Sequence, residues 1–193
     1  MAFLLFPMEN FPSEIFGVVF SALFVLILVI ELRILLRDRK GEGDRGSLGA
    51  ILLGVFFPLV VMVGLSFTEI GRINVNFGYL GLLFLSGGFA LRQYSIFVLG
   101  KFFVPVVGKQ KGQRIIQRGP YRLVRHPSYT GLLLELLGAA LCFSNWISFV
   151  VVLIAFIPAI SYRINVEEEF LRKNFKEYEG YQERTRKLIP LIY

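Results

Sequence analysis

Two runs of apolar residues decide what this chain can fold into. From Ile15 to Leu36 only Glu31 and Arg33 interrupt an apolar stretch, and from Ser47 to Thr68 there is no charge at all. At 1.5 Å per residue, each run is long enough as a helix to cross a ~30 Å hydrocarbon core. In that medium a helix satisfies its own backbone polar groups. With 55% hydrophobic residues among 193 and a mean hydropathy of +0.63, the chain is too apolar for a soluble domain of its size. The expected fold is therefore an all-α integral membrane protein.

Three more runs follow: Phe77 to Gly100, interrupted by Arg92 and Gln93; Ser128 to Phe143, interrupted by Glu135; and Asn145 to Tyr162, without charge. Together they predict five transmembrane helices, the last two a tight helical hairpin because only Ser144 and Asn145 separate them. The fourth run is short for a full crossing. Pro58 is expected to kink the second helix, since proline lacks the N–H and clashes with the preceding turn. Gly87-Gly88, inside the third, suits close helix packing better than phosphate binding. Residues 1–193 read as one membrane domain, with a three-helix scaffold over 1–100 and a catalytic, cofactor-binding half over 101–193. The stretch before Glu14 has no Lys or Arg, the wrong charge for a signal peptide, so the first run is expected to be retained as an anchor.

The formal charge of +7 is explained by topology. Basic residues crowd the 37–46 turn, the 101–125 loop and the carboxyl tail, whereas the intervening side carries Arg72. The positive-inside rule then puts the amino end outside and both the 118–129 segment and the carboxyl tail in the cytoplasm. No nucleic-acid-binding module pattern is present. The single Cys142 rules out an internal disulfide and reads as a small core residue. Arg92 and Glu135 fall at similar depth from the cytoplasmic face and are expected to be neighbours, because isolated charges there are costly. Glu31 lies near a span end and is expected to be solvated.

Punctuation, charge and aromatic groups meet between Arg118 and Tyr129, which holds the only histidine, His126. Pro127 suits the first turn of a helix, where its missing N–H would be unpaired anyway. Further on comes Glu167-Glu168-Glu169. Helical spacing pairs Glu168 with Arg172 and Glu169 with Lys173, which explains both as surface. Glu167 instead heads an apolar stripe with Leu171, Phe175 and Tyr178. There is no P-loop, no strand–helix alternation for a Rossmann fold, no recognisable zinc site and no serine in a nucleophile elbow. A pocket with a basic, aromatic half and an acidic half remains: Tyr121 and Tyr129 against an adenine ring, His126 on a carboxylate or ribose hydroxyl, Glu167 on an ammonium group. The same residues also fit a plain helix start at the membrane interface with snorkelling side chains, and Arg163 with Glu167 a simple helix ion pair.

Gly119-Pro120-Tyr121, then Arg125-His126-Pro127-Ser128-Tyr129 with Gly131, then Arg163 and Glu167-Glu168-Glu169, ending in Tyr178, Tyr181, Arg186 and Pro190, resembles the isoprenylcysteine carboxyl methyltransferase family. The resemblance covers roughly the carboxyl-terminal half. It implies a membrane enzyme that transfers a methyl group from S-adenosylmethionine to the carboxylate of a prenylated carboxyl-terminal cysteine or a similar lipophilic carboxylate. It further implies that Gln113, Arg114, Ile115, Ile116, Tyr121, His126, Pro127, Ser128, Tyr129 and Glu167 contact the cofactor and that Arg163 faces the substrate carboxylate. At Asn165 and Val166 the family often has further acids, and this chain departs from it. Such chemistry needs no general base, because a carboxylate is already ionised near neutral pH. It needs nucleophile, methyl carbon and sulfur held in line. A prenyl chain partitions into the bilayer, so the two reactants would arrive by separate entrances. Alternatives are a methyltransferase for a lipid amine or thiol, a nicotinamide-dependent membrane reductase of the kind that shares an Arg-His-Pro motif, and a non-enzymatic adaptor.

Overall fold

The computed structural model describes residues 6, 11, 13–35, 43–73, 77–109 and 111–188. Among these residues six α-helices follow one another: α1 (Glu14–Leu35), α2 (Ser47–Ser66), α3 (Gly78–Leu99), α4 (Pro127–Cys142), α5 (Trp146–Asn174) and α6 (Tyr178–Arg184). Short 3-10 turns at Gly100–Phe102 and Gly119–Arg122 punctuate the loop between α3 and α4. Helices α1, α2, α3 and α5 are long and apolar enough to cross a membrane. Helix α4, the expected fourth span, has 16 residues, about 24 Å of rise against a ~30 Å core. Leu53, Val60, Leu83 and Phe97 stand 64–79% exposed, as side chains that meet lipid would.

Two contacts between backbones set the bundle. Helices α3 and α4 lie antiparallel with glycines facing each other in pairs. A Cβ on Gly88 would sit 2.6 Å from the Gly131 carbonyl oxygen, and one on Gly81 would sit 2.7 Å from that of Gly138. Helices without side chains at the crossing approach closely, which is how packing compensates for the missing hydrophobic drive in lipid. Gly54 does the same for α2 on α5, where a Cβ would meet Ala159 at 2.6 Å. Gly87, by contrast, faces open space, so only one of the adjacent glycines serves the packing. Cys142 is a buried core residue on the same seam, its thiol directed at the Gly78 carbonyl.

The predicted hairpin forms: Ser144 turns with φ 47°, and Asn145 caps α5 by accepting from the Ser148 N–H at 3.0 Å. Its other amide end donates to the Ile70 carbonyl at 2.8 Å, fastening the α2–α3 connection to the hairpin tip. Helix α1 joins the core through Phe20 and Phe24, which pack against Phe143.

Pro58 lies inside α2, and the helix continues on both sides of it. The fifth apolar run and the Glu-rich stretch are one 29-residue helix, α5, which passes Tyr162 without interruption. One expectation changes: Glu31, its side chain 21% exposed, is paired rather than left to solvent, accepting from Arg92 Nε at 2.5 Å and Nη2 at 2.6 Å. Arg92 also donates to the Ser128 carbonyl, while Glu135, on the facing helix and within electrostatic reach, makes no hydrogen bond to it. Arg92 and Glu135 are neighbours as expected, but the pair forms with α1 instead, because only Glu31 brings both oxygens to the guanidinium edge.

The glycine seam has a direct test. Gly88→Val should lower the thermal midpoint in detergent, by the ~1–3 kcal/mol that overpacking costs, whereas Gly87→Ala should leave it unchanged or slightly raised. Equal effects would show that the seam does not depend on backbone contact.

Candidate functional site

Arg163, one turn before Glu167 on α5, is 3% exposed, and a guanidinium cannot lose its charge in such a place. Its partners come from three separate parts of the chain. Nη1 donates to Asp44 and to Ser47 Oγ at the start of α2, Nη2 donates to the Pro105 carbonyl at 2.9 Å, and Nε donates to Tyr129 Oη at 3.1 Å. Four of the five N–H groups of an arginine are thus committed. Tyr129 Oη passes the contact on, donating to Glu167 Oε2 at 2.8 Å. Burial raises the Asp44 carboxyl, but the Leu48 N–H and Arg163 more than offset it and hold the group below its usual range. Asp44 therefore stays an anion for Arg163.

The Arg-His-Pro segment is built as the start of α4, with Pro127 in the first turn and His126 as the cap residue. His126 is 4% exposed, lies nearly parallel to the Tyr129 ring at 5.7 Å, and faces Glu168 Oε1 through Nε2 at 3.2 Å. Glu168 is the buried acid of the three. Besides His126 it takes Arg125 Nε at 2.7 Å and Gln182 Nε2 at 3.1 Å, and it is 5% exposed. The expected surface pair with Arg172 is therefore wrong for Glu168; the packing of α5 turns it inward. Glu169 does face outward, to Lys173 at 2.6 Å as expected and also to Arg45 at 2.8 Å. The carboxyl tail straps this segment down: the Arg125 and His126 N–H groups donate to the Arg186 and Lys187 carbonyls at 2.7 and 3.0 Å.

Two cavities meet at this point. A polar cleft of about 80 Å³ is bounded by Gln113, Tyr121, His126, Ser128, Tyr129 and Glu167, together with apolar residues of the 99–108 segment. A larger, apolar cavity of about 280 Å³ runs between α1, α2 and α4, with Phe24, Ile51, Val55 and Leu132 in its wall. Arg163 and Tyr129 line both. Burial, and next the Glu167 charge, pushes the Tyr121 phenol well above its ordinary value, so it stays neutral in the cleft.

Of the residues expected to contact a cofactor, Gln113, Tyr121, His126, Ser128, Tyr129 and Glu167 border the cleft. Arg114, Ile115, Ile116 and Pro127 do not: Arg114 is exposed, Ile115 packs against Tyr178 and Tyr181, Ile116 is half-buried elsewhere, and Pro127 is buried in the helix start. Three partners of Arg163 went unforeseen: Asp44, Ser47 and Pro105. Asp44 carried a readable signal, an acid four residues ahead of Leu48 at the mouth of an apolar run, where it accepts the Leu48 N–H at 3.0 Å. Pro105 acts through its carbonyl, for which no sequence signal exists.

Glu168→Ala should cost about 3–5 kcal/mol in denaturation experiments, since it strands Arg125 in the interior. Glu169→Ala should leave the midpoint nearly unchanged.

The sequence model of the phospholipid methyltransferase family matches residues 76–178. A probable protein-S-isoprenylcysteine O-methyltransferase of Oryza sativa subsp. indica is 32% identical over 117 residues, covering 59% of this chain and 61% of that protein. The protein-S-isoprenylcysteine O-methyltransferase of Schizosaccharomyces pombe is 32% identical over 112 residues, covering 56% and 48%. The matches thus span about half to three-fifths of the length of these relatives. A solved structure of the eukaryotic intramembrane Ras methyltransferase, isoprenylcysteine carboxyl methyltransferase, superposes with a TM-score of 0.58 at 23% identity, over 76% of this chain and 51% of that one. That likeness is one of fold.

Proposed function

The chain belongs to the phospholipid methyltransferase family, and from that membership we propose that it is a membrane methyltransferase that moves the methyl group of S-adenosylmethionine to the carboxylate of a prenylated carboxyl-terminal cysteine or a similar lipophilic carboxylate. The observation that carries the reading is the shared wall: Arg163 and Tyr129 border both the polar cleft and the apolar cavity. A polar donor and an apolar acceptor approaching from the two sides would meet there. The named relatives support the acceptor class.

The cleft's donor set fits the proposed cofactor. Glu167, its side chain 30% exposed, is held by Tyr129 and lies 4.0 Å from Arg163 Nε, an acid placed at the cleft where it can accept an ammonium group. Tyr121 adds an aromatic wall, and Gln113 and Ser128 add polar contacts. When bound, S-adenosylmethionine supplies an electrophilic methyl carbon on a sulfonium. The protein's own task is then alignment. Arg163 offers the acceptor carboxylate its charge and the one N–H not already committed, orienting it without a forked grip that would tie up the attacking lone pairs. Tyr129 fixes Arg163 relative to Glu167, so acceptor and donor contacts stay in register. No residue needs to remove a proton, since the carboxylate arrives ionised.

Calorimetry in detergent should give heat with S-adenosylhomocysteine and none with NADPH, and Glu167→Gln should weaken the former roughly tenfold or more. Arg163→Lys keeps the charge and loses the N–H groups that fix it to Tyr129, Asp44, Ser47 and Pro105; it should cut methyl transfer to a prenylcysteine about 100-fold while cofactor-product affinity holds. Unchanged transfer would remove Arg163 from the mechanism.

The same reading has α4 complete the crossing with its flanking turns, giving five spans with the amino end outside and the cleft in the cytoplasm. Because Cys142 is buried, single introduced cysteines report topology cleanly. A membrane-impermeant maleimide should label Glu69→Cys in intact cells and Lys111→Cys only after permeabilisation. The opposite pattern would invert the protein.

A further inference from the structure

Glu135 is left over by everything described so far. It sits on α4 at 4% exposure, with α3 packed against its backbone at Gly88, and its side chain lines the apolar cavity. Oε1 is sealed from solvent and has no hydrogen-bond partner among the described residues. The charged groups that face it do not supply one. Arg92 directs Nε and Nη2 to Glu31 and Nη1 to the Ser128 carbonyl, and none of its N–H groups reaches Glu135 Oε1. Glu31 is itself an acid, so two carboxyl groups share one guanidinium. A buried acceptor without a donor is costly, and such groups persist in folded proteins mostly where something else completes them.

The surroundings limit what that something can be. Apart from Arg92 and Glu31, the wall around Glu135 is hydrocarbon, including Leu85, Leu132, Leu136 and Ala139, so whatever enters is mainly apolar. Six residues of α-helix separate Glu135 from Tyr129, about 9 Å along the axis. An acceptor with its carboxylate at the Arg163 and Tyr129 wall would thus bring part of its tail, beyond the reacting end, to the level of Glu135. A pure hydrocarbon tail at that level leaves the acid unsatisfied.

We propose that Glu135 is a polar subsite within the apolar cavity, accepting a hydrogen bond from an uncharged donor, a hydroxyl or amide N–H, carried on the tail of the lipid acceptor. The proposal rests on reading the cavity as the acceptor's. It makes Glu135 a specificity-determining residue: the preferred acceptor is a lipophilic carboxylate with a donor group part-way along its chain, and plain prenyl tails bind more weakly.

The test uses a matched pair of acceptors on the full-length protein in nanodiscs: N-acetyl-S-farnesylcysteine, and the same molecule with a hydroxyl on its first isoprene unit. Binding is measured by calorimetry with S-adenosylhomocysteine present, and methyl transfer is measured in parallel. The hydroxylated compound should bind wild type roughly tenfold tighter or more, as expected for a hydrogen bond that completes a buried carboxyl group. Glu135→Gln, which keeps an acceptor oxygen, should retain the preference, and Glu135→Leu should abolish or reverse it. Equal binding of the pair by wild type, or a preference that survives in Glu135→Leu, overturns the subsite; the wild-type comparison stands even where a variant fails to fold. Pair discrimination without any methyl transfer would instead sink the carboxylate-transfer reading and leave the subsite standing.

Discussion

A buried, permanently charged guanidinium is the constraint on which the rest of the site depends. Arg163 can occupy the interior only if its charge is answered and its N–H groups are bonded, and the chain meets that demand with pieces far apart in sequence. The start of α2 supplies Asp44 and Ser47, the loop after α3 supplies the Pro105 carbonyl, and α4 supplies Tyr129. Each anchor also has a structural duty: Asp44 accepts N–H groups from Leu48 and Val107, and Tyr129 lies over His126. Moving any of them would disturb Arg163 and the local backbone together. The charge thereby fixes where α2, α4, α5 and the connecting loop stand around the two cavities.

The glycine seam solves a different problem. Pressing α3 against α4 at Gly81, Gly88, Gly131 and Gly138 brings two backbones together with no side chains between them. Space is then left on the other side of α4, where bulky residues of α1 and α2 face each other across the apolar cavity. Helix α1 is held by phenylalanine packing near its amino-terminal end and by the Glu31–Arg92 pair near the other. Tight packing on one face of α4 and a cavity on the other are two consequences of where small residues fall along one 16-residue helix.

How much of this was readable beforehand divides along physical lines. The helices and the hairpin were, because lipid forces apolar runs to be helices and Ser144-Asn145 leaves no room for anything but a turn. The meeting of the 118–129 segment with Glu167 was readable as well. What could not be read was how far around the helix the buried face extends: spacing told Glu167 from Glu169 but left Glu168 on the surface. Glu167, Glu168 and Glu169 are identical neighbours, yet 100° steps around α5 send the first to the cleft, the second beneath His126 and the third to Arg45 and the surface. That phase is set by Gly54 against Ala159, a contact between distant segments that no local spacing announces. The Arg92 partner was missed for the same reason, since Glu31 arrives from α1 by packing. Contacts made by carbonyls, such as that of Pro105, carry no side-chain signature at all.

The saturation of Arg163 also bears on how the proposed reaction would be divided between binding and catalysis. An arginine with a free fork would hold the acceptor carboxylate firmly in the ground state, and binding that is equally strong before and at the transition state does not raise the rate of the chemical step. Here the guanidinium is already answered by Asp44, and only one N–H remains for the acceptor. Affinity for the acceptor would then come from its apolar tail in the large cavity, where burial is worth about 0.8 kcal/mol per CH₂. The carboxylate itself would be oriented more than bound, its lone pairs left available toward the cleft. Separating grip from alignment in this way lets a lipid enzyme hold its acceptor by the part that does not react.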